Sequence, residues 1–398
     1  MHVRRDLAPI LLRVSRRYPV VTVTGPRQSG KTTLCRVVFP KKPYVTFERL
    51  DDRERAETDP RGFLADHPGG AVLDEAHHVP KLLSYLQAEV DEDSRAGRWI
   101  LTGSQHLGLS RSIAQTLAGR TAILHLLPPS FEELRRFPKP PRRLTETLLT
   151  GAYPRIHDQG LPADRWLGDY VATYVERDVR SIVNVGDLNA FTTFIRLCAG
   201  RTAQELNLAA LGADAGISHV TARSWLSVLE ASFLVFRVPA WHRNERKRLV
   251  KSPKLHWFDA GLVCHLLGIT TASQLELHPS RGAIFETWVA SEVWKAHANR
   301  GVEPRLHHLR ETRGIEVDLL VAHGRSLRGI ECKSGATLAS DMLRGLAGLR
   351  DAIGTAADVG RGVLVYGGAS AQRRTDVDIV PWDRVGQIGW PRGATEVI

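Results

Sequence analysis

Apolar residues recur along this chain at two spacings, and the spacing changes from one segment to the next. Leu7, Ile10, Leu11 and Val14 fall at the three- and four-residue steps of one helix face, and Tyr18-Pro19 ends that pattern. Val20-Val21-Thr22-Val23-Thr24 is β-branched throughout and predicts a strand; after a glycine-containing turn, Leu34 to Val38 returns to helical spacing. Further strands are predicted at Tyr44 to Phe47, within Gly69 to His77, within Trp99 to Gln105 and at Thr121 to Leu127, with a charged helix starting between Asp51 and Thr58. Residues 144–200 read as helices, since Trp166, Tyr170, Thr173 and Tyr174 keep helical spacing.

From Thr202 the elements become shorter. Leu206 to Leu211, a turn at Ala215 to Ser218, and Val220 to Glu230 resemble a helix-turn-helix with Ser218 as a cap, followed by an apolar strand from Phe233 to Pro239. The last part predicts an amphipathic helix from Gly282 to Lys295, strands at Ile315 to Val321 and Leu327 to Lys333, a helix from Leu338 to Ile353 and a strand from Gly362 to Tyr366. The proline-broken stretch Phe137 to Arg143 marks a boundary, and the domains are expected at 1–140, 141–270 and 271–398.

The turn between the first strand and its helix carries chemistry. Gly25 to Thr33 reads Gly-Pro-Arg-Gln-Ser-Gly-Lys-Thr-Thr and fits the phosphate-binding pattern G-x-x-x-x-G-K-[ST]. Gly25 and Gly30 let the backbone curl, so that the N–H groups around Gln28, Ser29, Gly30 and Thr33 face a polyphosphate at the positive end of a helix. Lys31 reaches the β/γ-phosphates, and the Thr32 hydroxyl ligates Mg²⁺. Downstream, the apolar run Ala71-Val72-Leu73 ends on Asp74-Glu75, a Walker B pattern. There Asp74 holds Mg²⁺ through a water, and Glu75 orients and deprotonates the attacking water. Ser104 and Gln105 follow the next strand, where either is placed to sense the γ-phosphate. Arg120 precedes the strand after that, as an arginine at the site's edge, a residue reaching a neighbouring subunit's γ-phosphate, or a surface ion pair.

Taken together, GPRQSGKTT, AVLDEAH, ILTGSQ, LAGRT and LPPSFEEL resemble the AAA-type ATPase module of a large prokaryotic family whose C-terminal half is a domain of unknown function. GAYPRI, YVERDV, SHVTARSWLSVLE and RLVKSPKLHWFDAGL are similar to the same family, so the resemblance covers nearly the whole chain. It implies a P-loop ATPase core using ATP and Mg²⁺, with nucleotide roles for Lys31, Thr32, Asp74, Glu75 and Arg120. AAA-type relatives often form rings, and an arginine acting in trans requires a homo-oligomer.

The remaining segments suggest a polyanionic partner. Arg243, Arg246, Lys247, Arg248, Lys251 and Lys254 form a cationic stretch after the helix-turn-helix, with Trp241 and Trp257 nearby, in the order of a winged helix. Such a stretch contacts DNA phosphates, or is a solvated face on a protein-docking or lid module. In the last part, Asp318, then Glu331-Cys332-Lys333, resembles restriction-endonuclease-like nucleases: Glu331 and Lys333 share one strand face, and Glu316 and Asp318 share another. Asp318 and Glu331 would then ligate metal, Lys333 would assist the hydrolytic water, and Glu286 would be an accessory acid. Alternating surface charges are the plainer reading. The expected fold class is therefore α/β: a P-loop NTPase sheet of AAA type, a helical and winged-helix segment, and a restriction-endonuclease-like α/β domain.

Composition adds two constraints. At 398 residues with a formal charge of +11, the chain is long for one domain and basic, either through an affinity for nucleic acid or through arginine-favouring codon usage. Cys35, Cys198, Cys264 and Cys332 are too scattered for a zinc site, and no apolar run crosses a bilayer, so a cytoplasmic protein with reduced thiols is expected. Two functions stand against each other: an ATPase coupled to DNA binding or processing, and a nucleotide-gated regulatory protein whose last domain docks a protein partner.

Overall fold

The computed structural model describes residues 3–103, 116–175, 187–242, 251–311 and 314–389. The first module is a five-stranded sheet of β1 (Val20–Thr24), β2 (Tyr44–Thr46), β3 (Val72–Asp74), β4 (Trp99–Gly103) and β5 (Thr121–His125), in the order β2-β3-β4-β1-β5. All its pairings are parallel. A parallel sheet is covered on both faces, and the two-residue period decides which face each side chain serves. Val21 and Val23 join Val72 and Ile100 beneath α1 (Ala8–Ser15) and α2 (Lys31–Val38). Val20, Leu73 and Leu101 join Leu82, Leu83, Leu86 and Val90 of α3 (Pro80–Glu92) on the other face. Burying that α3 stripe contributes roughly 1.5–3 kcal/mol per side chain before entropy is subtracted. Because the strands run the same way, all their carboxyl ends open on one edge.

A short helix α4 (Phe131–Leu134) follows β5, with Ser130 and Glu133 forming a reciprocal capping box. After it, α5 (Pro154–Gln159) leads toward α6 (Leu188–Gly200), β6 (Gln204–Glu205), α7 (Leu208–Asp214), α8 (His219–Ala231), β7 (Val235–Val238) and β8 (Lys254–Trp257). The three strands form an antiparallel sheet of order β6-β8-β7. Ser218 accepts a hydrogen bond from the Thr221 N–H at 3.1 Å, which starts α8 at the residue its sequence predicts. Trp225 then packs edge-on against Phe191 and Phe194, fixing α8 on α6.

The last module begins with α9 (Arg281–Ala298). Next come β9 (Arg305–Arg310), β10 (Glu316–His323) and β11 (Ser326–Lys333), an antiparallel meander, and α10 (Arg344–Ile353). β12 (Asp358–Val359) and β13 (Gly362–Tyr366) pair in parallel with β11; β14 (Gln372–Arg373) and β15 (Val377–Pro381) complete a mixed sheet of order β14-β15-β13-β11-β10-β9. The sequence predicts an amphipathic α9. In the fold, thirteen of its eighteen residues are buried, Glu292 and Lys295 included, because it is wrapped by the middle sheet, α4 and β11. One hydrophobic cluster runs from Leu127 through the middle segment and α9 to Ile388, so the core continues across residue 270.

All four cysteines are buried and free. Among the described residues, no helix is long and apolar enough to cross a membrane.

Candidate functional site

The loop after β1 sits at the carboxyl edge of the first sheet. Gly25 has φ +148°, and a Cβ there would run into the carbonyl of Leu126, so the loop leaves its strand only with glycine. Gln28 and Gly30 also take positive φ, and Gly30 opens α2. The Lys31 ammonium is buried within this curl and donates to the carbonyls of Gly25 and Pro26, each at 2.9 Å. Burial holds its pKa below the usual lysine value, against the pull of Glu75 and Asp74.

Asp74 ends β3 on the same edge and is 4% exposed. The Thr32 hydroxyl lies 3.0 Å from both of its oxygens, Tyr44 Oη donates at 2.7 Å, and Thr102 Oγ1 adds a further bond. A buried carboxylate is tolerable only with such donors, and these leave it beside the one hydroxyl the phosphate loop supplies. Burial first, then the bond to Asp74, raises the Tyr44 pKa. Glu75 follows in the left-handed region at φ +53°, an uncommon conformation for a residue with a side chain, and its carboxylate stands 3.1 Å from His77 Nδ1. A cavity of about 660 Å³ spreads before these groups, lined by Arg27, Gly30, Thr32 and Glu75, and from outside the sheet by Val3 and Arg155 of α5. Its size suits a nucleotide. The hard oxygens of Thr32 and Asp74, beside a buried ammonium and free helix-start N–H groups, suit magnesium and a polyphosphate.

The structure thus brings together Gly25, Gln28, Ser29, Gly30, Lys31, Thr32 and Thr33 of the loop with Asp74 and Glu75. It separates Arg120. That residue precedes β5, its carbonyl accepts from the N–H of Val20 at the start of β1, and its guanidinium pairs with Asp91. It lies at the amino edge, a strand's length of roughly 16 Å from the loop, so within one chain it does not border the site. Ser104 and Gln105 lie outside the described residues. Sequence reading missed Tyr44, Thr102 and Arg155; Thr102 and Arg155 had a signal, their places in ILTGSQ and GAYPRI.

A second charged cluster forms where β8, α9, β10 and β11 meet. Asp318 accepts the backbone N–H of Cys332 at 2.8 Å, and Lys333 Nζ lies 3.0 Å from Glu331 and 3.9 Å from Asp318. From the middle segment, Lys254 Nζ reaches Glu286 at 2.9 Å, Glu316 at 3.5 Å and Asp318 at 3.9 Å. Glu286 of α9, Asp318 of β10, and Glu331 and Lys333 of β11 are therefore joined through the two lysines. Lys254, expected on a solvated cationic face, is instead 5% exposed among these acids, because β8 is buried along its whole length. Trp241 and Trp257, expected beside that face, are buried as well.

The acids outnumber the two lysines. Burial and the Asp318 charge push Glu286 up to about 8 despite Lys254, and burial and Asp318 likewise raise Glu331 despite Lys333. Burial alone would lower Lys254, but Glu286, Asp318 and Glu316 outweigh it and raise its pKa. Among the described residues, no group of three or more His, Cys, Asp or Glu side chains is arranged to hold a metal ion. The expected ligands Asp318 and Glu331 face ammonium groups. Of the proposed DNA contacts, Lys251 is exposed, whereas Arg243, Arg246, Lys247 and Arg248 lie outside the described residues.

Comparisons with known proteins divide the chain in a similar way. Residues 17–135 match the model of an AAA domain, residues 141–273 a domain of unknown function (DUF8612), and residues 281–385 another domain of unknown function (DUF4143). Two uncharacterized proteins, from Mycobacterium bovis and Mycobacterium tuberculosis, are each 29% identical over 340 residues, covering 84% of this chain and 74% of theirs. Among solved structures, the Walker-type ATPase of Pyrococcus abyssi is 15% identical, covering 66% of this chain and 94% of that one with a TM-score of 0.44. A RuvB variant of Thermotoga maritima is 16% identical, covering 58% and 87% with a TM-score of 0.28. The AAA-domain match supports an AAA-type, ATP-binding module over the first sheet.

Proposed function

We propose that this AAA-type module binds MgATP in the cavity before the phosphate loop, hydrolyses it, and couples the nucleotide state to DNA contact by the rest of the chain. The observation that carries the proposal is the joining of Thr32 to both oxygens of Asp74, with Lys31 buried one residue away. Gln28 to Thr33 hold the phosphates through backbone N–H groups, and Lys31 neutralises the β/γ-phosphates. Magnesium, held by Thr32 and through Asp74, supplies charge neutralisation at the transferring phosphoryl group. Glu75 takes the proton of the attacking water, and Arg155 approaches the same cavity from α5. Arg120 acts on a neighbouring copy in a homo-oligomer.

The DNA half rests on the order helix, strand, helix, helix, strand, strand from α6 to β8, which matches a winged helix, and on the basic charge of the chain. ATP turnover in Mg²⁺, with and without duplex DNA, tests both halves. Turnover lost in Lys31→Ala supports the site, whereas equal rates in wild type and Lys31→Ala refute it. Salt-independent or absent DNA binding refutes the second half.

One observation favours the alternative, a nucleotide-gated regulatory protein whose last module docks a protein partner. Lys254 already neutralises the acids that a restriction-endonuclease-like site offers to metal. On that reading no DNA is cut. Cleavage abolished by Asp318→Ala and by Lys333→Ala would restore the nuclease reading.

A further inference from the structure

The LPPSFEEL stretch, residues 127–134, is left unexplained by nucleotide chemistry, yet it lies between two buried ion pairs. Arg5 donates to the Ser29 carbonyl of the phosphate loop at 2.8 Å, to the Leu127 carbonyl at 2.7 Å and to Glu133 Oε1 at 2.9 Å. Glu133 also accepts the N–H groups of Asp6 and Ser130, at 2.7 and 2.9 Å. One residue on, the Phe131 N–H donates to Glu292 Oε2 of α9 at 2.8 Å, while Lys295 Nζ bonds Glu292 Oε1 at 2.9 Å and the Pro129 carbonyl at 3.3 Å. Arg5, Glu133, Glu292 and Lys295 are 8%, 0%, 3% and 2% exposed. An unbroken series of charge-assisted bonds therefore runs from the phosphate loop through residues 129–133 to α9, the helix that also presents Glu286 to the second cluster.

We infer that Arg5 and Glu133 are positioning residues for the phosphate loop, and that the Glu292–Lys295 pair passes the loop's state to α9. The inference rests on the nucleotide reading above and names its regulation. Burial alone would raise the Glu133 pKa; the Arg5 guanidinium and the two N–H donors hold it below the usual carboxylate value, so the link carries full charge. The nucleotide reading implies a second arrangement of the loop. Lys31 is tied to the carbonyls of Gly25 and Pro26, and a polyphosphate that draws the ammonium outward releases both. Ser29 lies between those carbonyls and α2, so a shift of the loop carries its carbonyl along, and Arg5 either gives up that bond or follows and pulls on its bonds to Leu127 and Glu133. In a buried, charge-assisted network such a shift is passed on rather than absorbed.

The test is hydrogen exchange of the full chain with and without Mg²⁺ and a non-hydrolysable ATP analogue, alongside the analogue's affinity. Nucleotide is expected to slow exchange over residues 281–298 by about fivefold or more in the wild type. The double variant Glu292→Leu with Lys295→Met removes both charges together, which avoids stranding either one. It is expected to keep affinity within about threefold and to lose the α9 response. Arg5→Lys keeps the charge but not the planar fork, and should weaken the analogue by about tenfold or more. Wild type that binds nucleotide with α9 unchanged, or a response that survives in the double variant, overturns the inference. Wild type that binds no nucleotide overturns the nucleotide reading itself, a separate outcome.

Discussion

Two places in this molecule bring acids and a lysine together at strand ends, and they do opposite things with the charge. At the first sheet, Asp74 is bonded by three hydroxyls and Lys31 by two carbonyls, so neither ion satisfies the other, and Lys31 and the Thr32 that binds Asp74 line a cavity. At the second, Glu286, Asp318 and Glu331 are met directly by Lys254 and Lys333. The same residue types thus make a receptor for outside charge in one case and a self-neutralised joint in the other. What separates them is the donor that reaches the carboxylate first, a hydroxyl or an ammonium.

The largest effect that sharpens this contrast is on turnover. Lys31→Ala should abolish ATP hydrolysis, by about a hundredfold or more, because buried charge at the transferring phosphate is where such sites gain most; Lys333→Ala should leave the rate within about twofold, measured by phosphate release. Next is stability. Lys254→Met leaves buried acids without their partner and should cost about 3–5 kcal/mol in chemical denaturation, with much of it recovered on adding Asp318→Asn. If Lys254→Met were neutral, the joint would be an open site after all.

A smaller effect is on pH. Below the ordinary carboxylate range Glu286 is protonated in both folded and unfolded chains, but between there and about 8 only the folded chain keeps the proton. Stability should therefore fall as pH rises through that window, and Glu286→Gln should flatten the slope of melting temperature against pH. The smallest effect is at Arg120. Its pair with Asp91 is solvent-exposed, so Arg120→Ala should leave the melting temperature unchanged. A fall in turnover that is rescued by mixing with Lys31→Ala chains would place its guanidinium in trans.

The first site was legible because its information is local. A nine-residue loop fixes Gly25 to Thr33, and an apolar run ending in two acids fixes Asp74 and Glu75. Period two placed Glu331 and Lys333 on one strand face, and the helix cap at Ser218 was readable for the same reason. What stayed hidden depends on partners far along the chain. Arg5 meets Glu133 across 128 positions, and Tyr44 meets Asp74 across 30. Lys254 reads as one more cation after a basic run, because nothing local says that β8 begins there and turns inward. Of the three readings of Arg120, the surface pair with Asp91 is the one seen within this chain, because a residue that precedes a parallel strand stands at the edge opposite the loop.

The burial of α9 has a consequence for anyone dividing the chain. Its Phe285, Trp288, Val289 and Val293 fill the seam between the middle segment and the last sheet. A fragment starting near residue 281, where one family match begins, would carry that helix unclothed into water. Such a truncation should precipitate on expression, and a cut in the proline-rich stretch before residue 144 would take Phe131 from Trp288 and its N–H from Glu292, so neither boundary is a clean place to divide the protein.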